Sequence, residues 1–142
     1  MIDLDKELMS AIENRSLKTV KECVKNGAKN LDAALIYSCE IGDKKIVKFL
    51  AENGAKSYNS SLKWASLYGY KDIVAFLIEK GANNYEDALS LVEGNDVYKT
   101  IEYFGTKNPS RRVASEKDYL EVISLLSEKA KSSQAIAIEE RE

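Results

Sequence analysis

The stretch from Leu62 to Ala82 reads LKWASLYGYKDIVAFLIEKGA, and its spacing decides the fold. Leu62, Ala65, Ser66 and Gly69 recur at steps of three and four residues, which places them on one face of a helix. Ile73, Val74, Leu77 and Ile78 do the same on a second helix, and Gly81 stops it. The stretch is therefore a helix–turn–helix hairpin with one apolar side. A hairpin of this size cannot bury that side alone, so copies of it must stack.

Copies are present on both sides. Gly followed by Ala occurs at Gly27, Gly54 and Gly81, a period of 27 residues without gaps. At that period Leu8, Leu35, Leu62 and Leu89 form one column of the first helices, and Ala11, Ser38, Ala65 and Val92 another. The second helices carry Val20, Val47, Val74 and Ile101, then Cys23, Leu50, Leu77 and Phe104. First helices are predicted near 5–14, 32–41, 59–68 and 86–94, and second helices near 17–26, 44–53, 71–80 and 98–104. Gly42 and Gly69 take the turns inside two hairpins, where a residue tolerant of positive φ lets the chain reverse, and Asn95-Asp96 takes the turn of the fourth.

After Phe104 the register breaks at GTKNPSRR, which contains the only proline, Pro109. ASEKDYLEVISLLSEKA then follows the hairpin pattern again, with Ile123, Leu126 and Ala130 in packing positions. Arg111, Arg112, Glu116 and Lys117 make its first helix polar, as a terminal cap facing water requires. The expected architecture is all-α: one repeat domain over residues 1–131, with repeats near 4–30, 31–57, 58–84 and 85–107, a cap at 108–131, and a flexible tail at 132–142.

Composition narrows the function. Lys and Arg number 21 against 23 Asp and Glu, so the net charge of −2 lacks the basic excess that phosphate contacts need, and no nucleic-acid partner is expected. MIDLDKELMS has no apolar h-region and no window is long and apolar enough to span a membrane, so a cytoplasmic protein without a membrane partner is expected. Cys23 and Cys39 fit neither a metal-ligand spacing nor a disulfide framework and fall on packing columns, which predicts free, buried thiols. There is no histidine, no glycine-rich phosphate loop and no base beside either cysteine, so neither an enzyme, a metal nor a cofactor is expected.

The pattern carried by Leu62, Ala65, Gly69, Ile73, Val74, Leu77, Ile78, Gly81 and Ala82 resembles the helical part of an ankyrin repeat. The likeness is clear over residues 4–104 and looser over 110–130. The family's T-P-L-H opening is missing, and 27 residues is short of the roughly 33 of a standard repeat. Six residues fewer removes most of the projecting β-hairpin finger, so little or no strand is expected. Abbreviated repeats of this kind resemble arrays of giant DNA viruses, for which the compartment would be the host cytosol. The resemblance implies non-catalytic binding of another protein, through the concave surface lined by first helices, acting by occlusion or recruitment.

The exposed side of those helices follows from geometry. At about 100° per residue from Leu62, Ala65, Ser66 and Gly69 lie within roughly 60°, whereas Leu67 falls near 140°, Trp64 near 200° and Tyr68 near 240°. The same angles in the second copy give Glu40, Tyr37 and Ile41, and in the fourth they include Leu91. Tyr37, Ile41, Trp64, Leu67 and Tyr68, with Tyr70 at the turn and Glu40 at the rim, are thus expected to form an apolar and aromatic partner-binding patch. The alternative is that Tyr37 and Trp64 fold back into grooves between hairpins. Leu31, Tyr58 and Tyr85 are expected to cover the ends of the first helices. Lys107, Arg111, Arg112 and Lys117 form a secondary basic patch suited to an acidic partner or phosphate, and a third reading is a small-molecule or nucleic-acid binder using Arg111 and Arg112. The second functional reading is a self-associating scaffold using the same patch, and the residues leave monomer or homo-oligomer open.

Overall fold

Helix starts are set by short polar side chains. Asp3, Ser16 and Asp43 each accept the backbone N–H three residues on, from Lys6, Thr19 and Ile46, satisfying donors that no preceding helical turn can bond. In the computed structural model, which describes residues 2–93 and 114–141, these caps open α1 (Leu4–Glu13), α2 (Leu17–Lys25) and α4 (Lys44–Glu52). Between and after them run α3 (Leu31–Ile41), α5 (Tyr58–Leu67), α6 (Lys71–Glu79), α7 (Tyr85–Glu93) and α8 (Glu116–Arg141). Among the described residues no strand is present. The second helix expected near 98–104, with Ile101, Phe104, Asn95-Asp96 and Pro109, lies outside the described residues.

The hairpins α1–α2, α3–α4 and α5–α6 stack in order. First helices pack side by side from α1 to α7, and second helices pack α2 to α4 to α6. The periodic columns form the core: Leu8, Leu35 and Leu62, then Val20, Val47 and Val74, then Cys23, Leu50 and Leu77 are all buried. Leu4, Leu31, Tyr58 and Tyr85, each the first residue of a first helix, are half-buried against that core, in the covering position expected for the last three. Cys23 and Cys39 are free and buried; exclusion of water pushes the Cys39 thiol up to about 12 and also raises that of Cys23.

The first helix expected for the cap, from 108, falls largely outside the described residues; α8 packs directly on α7 and α6, as α4 packs on α3 and α2. Its Tyr119 ring lies over Gly69 just as the Tyr70 ring lies over Gly42. α8 thus occupies the slot of a second helix paired with α7. Ser115 and Asp118 cap it reciprocally, the Ser115 hydroxyl accepting the Asp118 N–H at 3.2 Å and the Asp118 carboxylate accepting the Ser115 N–H at 3.3 Å. Residues 132–141, expected as a flexible tail, continue α8 as helix, with the side chains from Lys131 to Glu140 exposed.

Candidate functional site

A first helix in the stack has three neighbours: its own second helix, the hairpin before and the hairpin after. The buried arc is therefore wider than the stripe that faces its own partner. Residues at about 240° to 260° on the wheel face the preceding hairpin. Ile41 and Tyr68, predicted to project outward, are 0% and 4% exposed for this reason. Tyr70, expected on the same patch, is also buried, its ring placed over Gly42 of the hairpin before. These three residues belong to the packed interior and cannot contribute to an exposed ridge.

A sequence signal for this arc exists in the columns. Position by position they read Glu7, Ala34, Ser61, Ala88 and Asn14, Ile41, Tyr68. Glu7 and Asn14 are exposed, with no hairpin before them among the described residues, whereas Ala34, Ser61, Ala88, Ile41 and Tyr68 are buried. The column Ile12, Cys39, Ser66, Glu93 reports the opposite flank: the first three are buried and Glu93 is exposed. Glu7, Asn14 and Glu93 are thus polar and exposed at positions that are buried in the neighbouring copies.

What remains on the surface is narrower. Tyr37 is half-buried, and its hydroxyl donates to the Glu13 carboxylate of the first copy. Glu40 is half-buried too, its carboxylate accepting from the Tyr68 hydroxyl at 3.2 Å and its carbonyl from the Tyr70 hydroxyl at 3.3 Å. Trp64 is 40% exposed and stacks on Tyr68 at 6.3 Å, which in turn stacks on Tyr70 at 5.7 Å. A packed ring thus holds the exposed ring from behind. Trp64, Leu67 and Leu91, with Ser60 and Lys63, line an open groove of about 300 Å³ between α5 and α7. Of the seven residues predicted for partner binding, Trp64 and Leu67 lie in this groove; Leu91 shares the wheel angle of Trp64 and completes it.

A second constellation escaped the sequence reading. The Asp5 carboxylate accepts the backbone N–H groups of Lys29 and Asn30 at 2.7 and 3.0 Å, and Asp32 accepts those of Lys56 and Ser57 at 2.6 and 3.2 Å. In the third copy Asn59 does the same for the Asn83 N–H at 2.9 Å. Asp5, Asp32 and Asn59 stand at the 27-residue period, so each hairpin ties down the entry to the next. The hydrogen bonds from Asn30 and Lys29 hold the Asp5 carboxyl below its ordinary value. This ladder is architectural: its acceptors are spent on backbone.

Of the secondary basic patch, Lys107, Arg111 and Arg112 lie outside the described residues, and Lys117 is exposed in the first turn of α8. Nearby, Lys71 pairs with Glu121 at 2.7 Å and Asp118 at 3.5 Å, and the Glu121 contact foremost raises its pKa. Burial pushes the Asp118 carboxyl up, but hydrogen bonds from Ser115 and the charge of Lys71 outweigh it and leave it below its ordinary value. These contacts bind α8 to α6.

Among the described residues no group of His, Cys, Asp and Glu side chains is placed to hold a metal ion, and no helix is long and apolar enough to cross a membrane. A protein-family model described as ankyrin repeats, in three copies, matches residues 8–88, more than half of the chain. The chain belongs to the ankyrin repeat family. No curated protein matches it at a significant level. Ankyrin repeats are generally non-catalytic modules of protein–protein interaction. In this ankyrin chain the matched copies contain all of the groove except Leu91, which lies three residues beyond Ala88.

Proposed function

We propose that this ankyrin protein is a non-catalytic binding module that takes a protein partner in the groove between α5 and α7 and acts by occluding or recruiting that partner. The observation that carries the reading is the position of Trp64. It is the largest side chain on the first-helix row, it stands 40% exposed at the lip of an apolar groove, and Tyr68 and Tyr70 stack behind it. A ring already held in place loses little conformational entropy on binding, which is why tryptophan is enriched among residues that dominate interfaces. Self-association is the weaker reading, because Glu7, Asn14 and Glu93 are polar and exposed where the equivalent residues of the neighbouring copies are buried.

The test is recovery of partners by the full chain from its native cell extract, compared with Trp64→Ala and Leu67→Ala. A partner retained by the parent and lost by both variants, with helical content unchanged, supports the reading. Retention unaffected by either variant removes the groove as the binding site.

A further inference from the structure

The groove has a polarity that names the chemistry of its occupant. Ser60, Lys63, Trp64 and Leu67 stand at steps of three, four and seven residues, a single stripe along α5. The N-terminal half of the stripe offers a hydroxyl and an ammonium; the C-terminal half, with Leu91 across from it, is apolar. Among the described residues Lys63 is the one charged side chain in the lining, is exposed, and has no ion-pair partner.

The surroundings of that lysine differ from the rest of the row. The first turns of α1, α3 and α7 carry Asp5 and Glu7, Asp32, and Glu86 and Asp87, whereas the first turn of α5 carries no acid. At the acidic position of the 27-residue period α5 has the neutral Asn59. Ser57, the N-cap of α5, makes no side-chain capping bond. The positive end of the α5 dipole is already met by Asp32, whose carboxylate accepts the N–H of the N-cap Ser57, so the charge that the groove offers is that of the Lys63 ammonium. Elsewhere on the row the carboxylates of Glu13 and Glu40 already accept tyrosine hydroxyls.

We infer that the groove takes a partner segment carrying a large apolar side chain next to an Asp or Glu. The apolar side chain fills the space between Trp64, Leu67 and Leu91, and the carboxylate lies over Ser60 and Lys63. Four residues of helix separate Lys63 from Leu67, a rise of about 6 Å. That span is two residues of an extended segment or one turn of a helical one. The inference rests on the groove being the binding site and adds the chemical class of what enters it.

The experiment pans a random peptide display library on the full chain, on Lys63→Glu and on Trp64→Ala, and titrates the selected peptides against the parent by fluorescence. Trp64 is the only tryptophan, so its emission reports occupancy of the groove directly. The expected result is selection of Leu, Ile, Met or Phe with an acid within four residues, a blue shift on binding, and about tenfold weaker binding of those peptides to Lys63→Glu. Lys63→Glu should itself select Lys or Arg in place of the acid. Selected peptides that shift Trp64 emission but show no acidic bias, or that bind Lys63→Glu unchanged, overturn the inference and leave the groove standing. Failure to select any peptide whose binding depends on Trp64 overturns the groove and the inference together.

Discussion

The Tyr70 ring lies flat against Gly42, so close that a Cβ built there would stand 2.7 Å from the nearest ring carbon. Gly42 also has φ of 83°, in the left-handed region. Two demands, one steric and one conformational, therefore fall on a single residue. Arg15 holds the same position in the first copy at φ 57°, exposed, with its guanidinium donating to the Ile41 carbonyl at 2.8 Å; the ring's place one hairpin on is taken there by the capping Asp43. Gly42→Ala is expected to destabilise the fold by roughly 2–5 kcal/mol, the sum of left-handed strain and a displaced ring. Denaturant unfolding measures it, and a loss under about 1 kcal/mol would show that Tyr70 swings away freely.

Trp64 and Tyr68 are stacked neighbours with opposite roles. Tyr68→Ala opens a hole between two hairpins and should cost about 3 kcal/mol. Trp64→Ala removes a ring that is already 40% exposed and should cost no more than about 1 kcal/mol. Thermal melts of the two single variants separate the roles. Equal destabilisation would place Trp64 in the core and remove it from any binding surface.

The ladder of Asp5, Asp32 and Asn59 makes an acid-side prediction. Asp5 has its pKa lowered from 3.8, so it binds fewer protons in the folded chain than in the unfolded one as pH falls towards that value. Its contribution to stability is fully present above the unfolded value and is lost as pH drops through the lower folded one. Asp5→Asn keeps an acceptor for the same N–H groups, as Asn59 does, but does not titrate. The variant should show a shallower loss of stability than the parent between pH 5 and pH 3, on the order of the window set by an unperturbed aspartate. Urea midpoints across that range test it, and parallel curves would refute the assignment.

The two halves of α8 should respond differently. Leu126 is fully buried against the stack, and Leu126→Ala is expected to cost about 2–4 kcal/mol. Residues 135–142 follow the Gln134 hydrogen bond to Glu86, and those described are exposed. Deleting them should leave stability within about 0.5 kcal/mol. Hydrogen exchange gives a second reading: amides near Leu126 should be protected to the level of the core and those after Gln134 should exchange much faster.

Much of the fold was legible in the residues. The 27-residue period placed seven of the helices to within one or two residues, because a column such as Val20, Val47 and Val74 can be apolar in every copy only if every copy buries it. The binding patch was less legible. A helical wheel drawn from Leu62 knows the partner helix of its own hairpin and nothing of the hairpin before, so Tyr68 and Trp64, about 40° apart on it, looked equivalent. Comparing Asn14 with Ile41 and Tyr68 carries part of the missing information, since the first copy is polar where the second and third carry large side chains.

The C-terminal region divides in the same way. The resemblance of ASEKDYLEVISLLSEKA to the hairpin pattern lay in the chain itself; of its expected packing positions Leu126 and Ala130 are buried and Ile123 is half-buried. Which slot that helix fills could not follow from its pattern, because any second helix presents the same stripe; contact with α7 and α6, and Tyr119 over Gly69, decided it.

The sequence by itself determined the hairpin, its period, the core columns and the placing of turns, since each is a local property repeated until chance is excluded. Only the tertiary structure decided which large side chains stay outside. Exposure depends on what the neighbouring hairpin covers, and that neighbour is brought near by folding rather than by sequence distance. Of an expected ridge of aromatic residues, packing took Tyr68 and Tyr70 inward and left Trp64 at the mouth of a groove.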